Sequence, residues 1–362
     1  MKQTVTILLL LLLAATTKAQ TVAAGDTATV EEVKKYEVRK SRNIIVVDSG
    51  MHTRAFEPFG SLPHGAEPYA EMVNEYKRRL GDSVTVYCMT VPNAVAYYCP
   101  DEQQTWTRPE KPVLDNLYRH LSDSVIGVRI YDMLKQHTSE PIYSRTDHHW
   151  APLGAYYAAG EFARAARVEF KPLSAYEKKT VRGYVGSMYT FSKDMAVKKA
   201  PENFIYYEPQ GIDYKAYFTN YTVAKGRTVG ESKPEERNFF IHYKDGSAGA
   251  YCCFMGGDTR TVRVVTGVKN HRRLMILKDS YGNAVASNLF YGFEEVHVVD
   301  FRYFPHNILE YVRENAITDV LFCNNLIHAC SASTARKYRA MLDKNKQKIW
   351  IARKYIAQHT SP

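Results

Sequence analysis

Apolar segments alternate with amphipathic segments along most of this 362-residue chain. Apolar residues at helical spacing predict helices over 69–81, 154–168, 308–316 and 333–346. Continuous apolar, β-branched runs predict buried strands over 43–50, 83–91, 273–280, 295–301, 319–325 and 348–352. Because strands that alternate with helices usually pair in parallel, we expect an α/β fold built on a doubly wound parallel sheet.

Two segments depart from this alternation. Residues 170–262 hold many tyrosines, lysines and glycines with little helical periodicity, which predicts an irregular or β-rich insertion. Residues 20–41 are polar and have no sustained apolar face, so we expect a flexible N-terminal arm. The pattern therefore predicts one domain over 42–357, interrupted by the insertion at about 170–262.

The first nineteen residues have the composition of a secretory signal peptide. Lys2 precedes an apolar core at 5–15, and small residues stand at Thr17 and Ala19. That core is too short to cross a bilayer as a helix, which takes about 20 apolar residues. We therefore predict cleavage after Ala19 and a periplasmic or secreted mature protein.

The chain is basic, with 48 lysines and arginines against 38 aspartates and glutamates. The excess remains after loss of Lys2 and Lys18, and it is scattered except for a denser stretch at 344–348. A diffuse basic surface favours contact with anionic polymers or membrane surfaces. Nucleic acid is not an expected partner, because an exported protein rarely meets it.

Six cysteines follow the signal peptide, and no two have the C-x-x-C spacing of a zinc ribbon or a redox motif. In an oxidising compartment, Cys88 with Cys99 and Cys323 with Cys330 are candidate disulfides. Free buried thiols fit the sequence equally well, so the pairing stays open.

The segment YSRTDHHWAPLG at 143–154 carries the first candidate chemistry. Asp147 and His149 are two residues apart, so an extended backbone would turn both to one side and His148 away. A carboxylate beside an imidazole can fix its tautomer and stabilise the imidazolium that forms when it takes a proton. The plainer interpretation is an aspartate near a helix start at Pro152, beside exposed histidines.

The segment LMILKDSYGNAVASNLF at 274–290 carries a second set of residues with candidate chemistry. It predicts an apolar strand, a tight turn at Asp279 and Ser280, and a small-residue helix. A serine on that turn places its hydroxyl at the ligand-binding edge of a parallel sheet, although Asp and Ser are also ordinary helix N-caps. With Asp147 and His149, Ser280 completes a set of nucleophile, base and orienting acid.

Three short elements resemble the DHHW proteins: TDHHW at 146–150, KDSYGN at 278–283 and DFRY at 300–303. Those proteins are relatives of the alginate O-acetyltransferase proteins and have an SGNH-hydrolase-like, flavodoxin-like fold. The resemblance covers roughly residues 42–355. As in that family, the Asp-x-His element precedes the serine, which reverses the order of ordinary SGNH hydrolases.

The resemblance implies an activity and roles for three residues. Ser280 is the implied nucleophile, His149 the general base and Asp147 its orienter, with no cofactor. The family's transferases move acetyl groups onto exported polysaccharide. We therefore expect an exported O-acetyltransferase or acetylesterase, an acyl donor, a polysaccharide acceptor and a membrane-bound partner for acyl transfer.

The residues that would bind an oxyanion are less sharply indicated. Ordinary SGNH hydrolases have glycine before the Asp-Ser pair, whereas Lys278 stands there in this chain. A tetrahedral intermediate needs hydrogen-bond donors close to its negative oxygen. The candidate donors are the Ser280 amide, Gly257 and Asn283.

Candidate substrate-binding residues lie close to the same elements. They are Tyr281 on the serine turn and the pair Arg302 and Tyr303 after the strand at 295–301. A guanidinium at this position could hold an anionic sugar or an acyl carboxylate. The plainer interpretation is that Arg302 pairs with Asp300.

Two other classes of protein fit the same residues. A metal-dependent hydrolase would draw its ligands from a larger set: Asp147, His148, His149, His297 and Asp300. Adjacent histidines do not readily share one metal from a strand, and the H-E-x-x-H spacing is missing, so the triad is preferred and no metal is expected. A polysaccharide-binding protein that keeps the fold without turnover is the second alternative.

Overall fold

A computed structural model describes residues 36–343 of the chain. That part has fourteen strands: β1 Glu37–Ser41, β2 Ile44–Asp48, β3 Arg54–Phe56, β4 Thr85–Val91, β5 Val125–Gly127, β6 Tyr176–Tyr184, β7 Glu202–Pro209, β8 Tyr214–Ala224, β9 Arg227–Glu231, β10 Glu235–Arg237, β11 Arg260–Thr266, β12 Arg273–Lys278, β13 Glu295–Asp300 and β14 Asp319–Asn325. Its ten α-helices are α1 Glu67–Leu80, α2 Val95–Tyr98, α3 Lys111–His120, α4 Tyr131–Gln136, α5 Pro152–Ala166, α6 Ser187–Ser192, α7 Met195–Lys198, α8 Ile308–Glu314, α9 Leu326–Ala329 and α10 Ala332–Asp343.

The largest sheet has the strand order β10-β8-β11-β13-β12-β14-β4-β5, with β9 paired to β8. The strands β13, β12, β14, β4 and β5 run parallel. The strands β11, β8 and β10 extend them with antiparallel pairing. The predicted α/β fold is confirmed, but the sheet is mixed and not parallel throughout, because strands from the predicted insertion extend it in the antiparallel sense.

Helices cover both faces of the parallel strands. On one face Tyr76 of α1 packs edge-on against Phe322 of β14, with ring centroids 5.0 Å apart. On the other face Phe162 of α5 packs edge-on against Tyr87 of β4, also at 5.0 Å. Tyr87 is in register with Leu321, and successive side chains alternate, so Tyr87 and Phe322 point to opposite faces. This double covering explains the continuous burial of β14.

Most of the predicted elements of the parallel region are confirmed, with ends shifted by a few residues. The helix expected after Ser280 is replaced by two 3₁₀ turns, Ser280–Ala284 and Ala286–Leu289. The strand predicted over 348–352 lies outside the described residues. None of the described helices has the length and apolar character that crossing a membrane requires.

A second, three-stranded sheet contains β1, β2 and β3, all antiparallel. The apolar run at 44–48 is its central strand, so the expectation that this run joins the parallel sheet is wrong. Residues 37–41 were expected in the flexible arm but pair with β2 along their whole length. The signal peptide and the arm residues 20–35 lie outside the described residues.

The cysteines are all free thiols, so neither candidate disulfide forms. Cys88 and Cys323 lie on neighbouring buried strands, and burial raises the pKa of both thiols. The structure therefore agrees with the alternative interpretation, in which these side chains act as small apolar residues of the core.

The helix α5 positions the D-H-H-W segment. Pro152 stands in its first turn, where the absence of an N–H group has no cost. Gly154 lets the preceding chain fold back onto the helix, because a Cβ at that position would lie only 2.4 Å from Ile142 O. Residues 143–151 are consequently held against the N-terminal end of α5.

Candidate active site

Residues 144–149 form a tight loop between Tyr143 and Trp150, which pair as an isolated antiparallel bridge. The carboxylate of Glu202, at the start of β7, accepts hydrogen bonds from the Thr146 N–H at 2.8 Å and from its hydroxyl at 2.7 Å. A strand of the 170–262 segment thus holds this loop in place.

Asp147, His149 and Ser280 form one series of hydrogen bonds. Asp147 Oδ1 accepts the backbone N–H of His149 at 2.9 Å, which curves the loop where an extended backbone was expected. The same oxygen lies 2.6 Å from His149 Nδ1, and His149 Nε2 lies 2.8 Å from Ser280 Oγ. With the proton held on Nδ1 by the carboxylate, the Nε2 lone pair faces the serine hydroxyl.

The second carboxylate oxygen of Asp147 is held by the 170–262 segment. Asp147 Oδ2 accepts from the Tyr184 hydroxyl at 2.8 Å and from the Ser187 N–H at 2.9 Å. Burial alone would raise the pKa of Asp147, but the charge of His149 and the hydrogen bonds from His149 and the Ser187 N–H hold it well below its usual range. Gly186 permits this close approach, because a Cβ there would lie 2.3 Å from Asp147 Oδ2.

His148 does not point away from the pair, as the extended-strand interpretation predicted. Its ring centroid lies 3.7 Å from that of His149, and its Nδ1 lies 2.5 Å from Ser187 Oγ. Burial, followed by the charge of His149, lowers the pKa of His148 to about 4. His148 is therefore neutral near pH 7 and packs against the imidazole that contacts Ser280.

Ser280 stands where β12 ends, at the carboxyl edge of the parallel strands, and is half-buried. Asp279 Oδ1 accepts the Tyr281 N–H at 3.0 Å and caps the 3₁₀ turn. Gly282 lets the turn close over Lys278, since a Cβ there would lie 2.4 Å from Lys278 Cβ. Asp279 is therefore the N-cap of this turn. The Ser280 hydroxyl does not cap the turn and contacts His149.

Lys278, the departure from the SGNH pattern, lies in a buried ion-pair network. Its Nζ lies 3.0 Å from Asp258 Oδ1 and 2.9 Å from Asp300 Oδ2. Arg302 binds the same carboxylates, with a nitrogen 2.9 Å from Asp258 Oδ2 and 2.6 Å from Asp300 Oδ2. Burial would raise the pKa of Asp258, but Lys278 and Arg302 hold it well below its usual range. The geometry fits the plainer interpretation of Arg302, because its guanidinium binds these carboxylates.

The two candidate tyrosines also have structural contacts. Tyr281 is 1% exposed, donates from its hydroxyl to His148 O, and accepts at its own carbonyl from Trp150 Nε1 at 3.0 Å. A side chain so enclosed does not reach a ligand, so its predicted substrate contact is wrong. The ring of Tyr303 lies 5.3 Å from the Arg302 guanidinium, on the ion-pair network, and is half-buried.

The oxyanion candidates separate into two kinds. Asn283 is 2% exposed and donates Nδ2 to Asp258 Oδ1 at 2.8 Å, so its amide faces the ion-pair network. Gly257 precedes Asp258, has φ 114°, and is tied to the serine turn through the contact of Asp258 with Lys278. Within residues 36–343, the N–H groups of Ser280 and Gly257 have no hydrogen-bond acceptor.

The residues of the metal hypothesis are only partly brought together. Ligand atoms of Asp147, His148 and His149 lie within 4.8 Å of one another. His297 lies elsewhere, with Nε2 2.9 Å from Glu295 and Nδ1 2.8 Å from Tyr311, and Asp300 belongs to the ion-pair network. The metal-hydrolase alternative required His297 or Asp300 in this set, and the structure places neither residue there.

Sequence reasoning missed four residues of the site: Tyr184, Gly186, Ser187 and Tyr251. Tyr251 stacks on His149 and donates from its hydroxyl to Ser280 O at 2.9 Å. All four belong to the segment at 170–262, far along the chain from His149. Their residue types are ordinary, and only Gly186-Ser187, which resembles a turn before a helix, gives a local signal.

The model of the DHHW protein family matches residues 55–299. A crystal structure of a DHHW family protein from Eubacterium siraeum is 36% identical, with a TM-score of 0.77 over 85% of this chain and 99% of that one. PatB1 of Bacillus cereus, solved with a sulfonyl adduct, is 15% identical, with a TM-score of 0.61 over 80% of this chain and 95% of that one. The O-acetyltransferase domain of Pseudomonas putida AlgJ is 14% identical, with a TM-score of 0.43 over 89% of this chain and 98% of that one. No curated protein sequence matches the chain.

Proposed function

Since the chain belongs to the DHHW protein family, we propose that it is an exported, serine-dependent O-acetyltransferase or acetylesterase that acts on a polysaccharide. One observation carries this proposal: His149 lies 2.6 Å from Asp147 Oδ1 through Nδ1 and 2.8 Å from Ser280 Oγ through Nε2. Both distances are within the range that proton transfer between a nucleophile and its base requires. The half-buried position of Ser280 at a sheet edge leaves its hydroxyl within reach of an ester.

The first half-reaction makes an acetyl-enzyme. Ser280 Oγ attacks the carbonyl carbon of an acetyl ester while its proton passes to His149 Nε2. Asp147 stabilises the imidazolium through Nδ1. The tetrahedral intermediate then collapses, the C–O bond to the leaving alkoxide breaks, and His149 gives that alkoxide its proton.

The second half-reaction removes the acetyl group from Ser280. A hydroxyl of the acceptor gives its proton to His149 Nε2 and attacks the acetyl carbon. Collapse of this second intermediate breaks the bond to Ser280 Oγ, which takes the proton back from His149. A sugar hydroxyl as acceptor gives transfer, and water gives hydrolysis.

The negative oxygen of each intermediate needs donors that are already in place. The N–H groups of Ser280 and Gly257 are available for this role, because neither has an acceptor among the described residues. The positive φ of Gly257, 114°, is a conformation that other residues rarely adopt. Gly257 is thus the second proposed donor, beside the Ser280 amide.

The location and the partners belong to the same proposal. The composition of residues 1–19 supports export, with Gln20 as the first residue of the mature protein. An exported enzyme is separated from cytoplasmic acyl donors, so a membrane-bound partner would have to pass the acyl group across. Edman sequencing of the protein recovered outside the cytoplasm checks the cleavage site.

Hydrolysis of a chromogenic acetyl ester tests the triad. The mature chain is expected to release the chromophore with a burst that marks acylation, and Ser280→Ala and His149→Ala are expected to lose at least about 10³-fold in kcat. A sulfonyl fluoride should add one equivalent of mass to the wild-type chain and none to Ser280→Ala.

Two control variants match these substitutions in type. Ser333→Ala changes an exposed serine, and His271→Ala removes a side chain that is 92% exposed. Both should keep wild-type turnover and labelling. Equal turnover in the wild type, Ser280→Ala and His149→Ala would refute the triad, and glycan binding that survives Ser280→Ala without any turnover would favour a binding protein.

A further inference from the structure

The imidazole of His149 is covered on both faces. The ring of Tyr251 stacks on it with centroids 3.7 Å apart, and the ring of His148 lies at the same separation. Two rings cannot share one face at this distance, so they cover opposite faces. The edge that carries Nε2, beside Ser280 Oγ, is therefore the side from which a substrate hydroxyl can reach the proposed base.

The rings around His149 differ in their exposure to solvent. Tyr251 is 5% exposed, and Tyr281, whose centroid lies 5.3 Å from that of His149, is 1% exposed. The side chain of His148, in contrast, is 24% exposed. The solvent-facing flank of the proposed base is thus formed by His148.

His148 has one ring nitrogen without a partner. Its Nδ1 lies 2.5 Å from Ser187 Oγ, whereas its Nε2 makes no hydrogen bond within residues 36–343. The buried polar atoms without a partner in that part of the chain belong to other side chains, so Nε2 is open to solvent. A sugar hydroxyl both donates and accepts, so it can bind this nitrogen in either tautomer of the ring.

Phe191 extends the same flank with an apolar surface. Its ring centroid lies 5.6 Å from that of His148, and the residue is 41% exposed. Single exposed phenylalanines occur on many protein surfaces, but this one adjoins the open nitrogen of His148. A protein partner seated on Phe191 would cover the exposed flank of His149, so the position favours a substrate as the occupant.

The helix α6 fixes the position of Phe191 relative to the triad. The Ser187 N–H donates to Asp147 Oδ2 at 2.9 Å, and the Met188 N–H donates to Thr146 O at 2.9 Å. The side chain of Met188 is buried in a cluster with residues of β2. Phe191 follows Ser187 by one helical turn and is therefore held beside the D-H-H-W loop.

A flat aromatic ring next to an open polar nitrogen matches the two surfaces of a pyranose. The C–H groups on a face of the sugar ring are attracted to the negative face of a phenyl ring, and the hydroxyls at its edge bind an imidazole nitrogen. We propose that Phe191 and His148 form a subsite for a pyranose ring of the acceptor, with Phe191 stacked on the ring and His148 Nε2 bonded to a hydroxyl. The inference rests on the proposed function, because the subsite serves the second half-reaction at Ser280.

Partition of the acetyl-enzyme between two acceptors measures this subsite. The mature chain is acetylated with the chromogenic ester in a mixture of cellotetraose and sorbitol that contains equal concentrations of hydroxyl groups. Sorbitol offers similar hydroxyls without a ring face. Because both acceptors compete for one acetyl-enzyme, the ratio of the two acetylated products in mass spectrometry does not depend on the rate of acylation. The wild type should favour cellotetraose at least about tenfold.

Variants of the two residues separate stacking from packing. Phe191→Leu keeps an apolar side chain without an aromatic face and should lower the product ratio about fivefold, whereas Phe191→Trp keeps that face and should stay within about twofold of the wild type. His148→Asn places an amide near Ser187 but lacks Nε2, so the ratio should again fall about fivefold. Ile126→Val, at an exposed apolar side chain of β5, is the matched control and should keep the wild-type ratio.

Binding without turnover is measured in the Ser280→Ala background. Ligand-observed NMR titration should show that cellotetraose binds to Ser280→Ala, and that an added Phe191→Leu weakens this binding about fivefold. Sorbitol should bind at least about tenfold more weakly than cellotetraose. This measurement needs neither the nucleophile nor an acetyl group, so it is independent of the triad.

Each other outcome has a defined meaning. A wild type without preference for cellotetraose overturns the subsite, as does a product ratio that stays unchanged in Phe191→Leu or in His148→Asn. An equal fall in Phe191→Leu and Phe191→Trp overturns stacking in favour of a role in packing α6. A wild type without an acylation burst refutes the proposed function, and cellotetraose binding that depends on Phe191 would still uphold the sugar subsite.

Discussion

The imidazole of His149 stacks on the ring of Tyr251, with centroids 3.7 Å apart and planes inclined by 5°. Tyr251 also donates its hydroxyl to Ser280 O at 2.9 Å, so one side chain contacts both the proposed base and the backbone of the proposed nucleophile. This contact fixes the direction of Nε2 towards Ser280 Oγ. The residue that aligns the pair therefore comes from a part of the chain that is remote from both motifs.

Substitution of Tyr251 tests this alignment. Tyr251→Phe keeps the stacked ring and loses one hydrogen bond, so kcat for acetyl ester hydrolysis should stay within about fivefold of wild type. Tyr251→Leu removes the flat surface under the imidazole, and a misplaced base should lower kcat about 10²-fold. Thermal unfolding followed by circular dichroism shows that the variants are folded. Equal kcat values for the two variants would mean that the stack does not position His149.

The carboxylate of Asp147 should be needed for its charge as well as its shape. Asp147→Asn can present its amide to His149 and impose the wrong tautomer, so we expect kcat to fall about 10⁴-fold. The amide NH2 would also face a hydrogen-bond donor in either orientation, which should lower the free energy of unfolding by about 1–3 kcal/mol. Tyr184→Phe removes one of the hydrogen bonds to Oδ2 and should cost about tenfold. Steady-state kinetics measure kcat of both variants. A loss of kcat for Tyr184→Phe as large as that for Asp147→Asn would contradict the prediction that the charge of Asp147 matters more than this one hydrogen bond.

Local hydrophobic patterns in the sequence predicted the strands and helices of the parallel region. Buried strands such as β12 and β14 are continuous apolar runs, and α5 has helical spacing, because both faces of a parallel sheet must be covered. The direction in which β8 and β11 pair is a property of the whole sheet, so the segment at 170–262 was recognised as β-rich but its place in the sheet was not. The apolar run at 44–48 was likewise predicted as a buried strand, but its sequence does not show which of the two sheets the strand joins.

The candidate site likewise contains some residues that the sequence predicted and others that only the fold revealed. Asp147, His149 and Ser280 were found because each stands in a short element with its own chemical signature, and the structure brings the three together. Tyr184 and Tyr251 carry no such signature, since single tyrosines are common along the chain. Their contacts with Asp147 and His149 became apparent only when the fold placed the 170–262 segment beside the pair.

Gly186 should tolerate no side chain. A Cβ at this position would lie 2.3 Å from Asp147 Oδ2 and 2.4 Å from Asp147 Cβ, and neither the backbone nor the buried carboxylate can move far. We expect Gly186→Ala to displace Asp147 and to lower kcat about 10²-fold. Gly60→Ala is the matched control, because nothing lies within 4 Å of a Cβ at Gly60. Wild-type turnover in Gly186→Ala would show that the loop adapts without disturbing the triad.

Arg302 should contribute to stability and not to substrate affinity. Its guanidinium neutralises Asp258 and Asp300 together with Lys278, so Arg302→Met leaves these buried carboxylates undercompensated. The free energy of unfolding in urea should fall by about 3 kcal/mol, with KM for the ester changed less than about twofold. Arg182→Met, at a guanidinium that is 74% exposed, should change neither quantity. A KM raised tenfold or more with unchanged stability would restore the substrate role.

Glu110 should make the protein less stable as the pH rises. Its carboxyl is 1% exposed and binds Asn93, whose Oδ1 lies 3.4 Å from the Tyr281 hydroxyl. Burial raises the pKa of Glu110 to about 8, because the opposing effect of the hydrogen bonds from Asn93 is smaller than that of burial. An unfolded glutamate has a pKa of about 4.3.

Between these two pKa values the folded chain keeps the Glu110 proton that the unfolded chain has lost. Each pH unit in this interval should therefore favour unfolding by up to about 1.4 kcal/mol from this group. Urea unfolding of the wild type and Glu110→Gln at pH 5, 6, 7 and 8 measures the difference, which should shift steadily in favour of the variant as the pH rises. Glu71→Gln, at a side chain that is 67% exposed, should give a curve parallel to that of the wild type. A Glu110→Gln curve that is also parallel would mean that Glu110 ionises alike in both states.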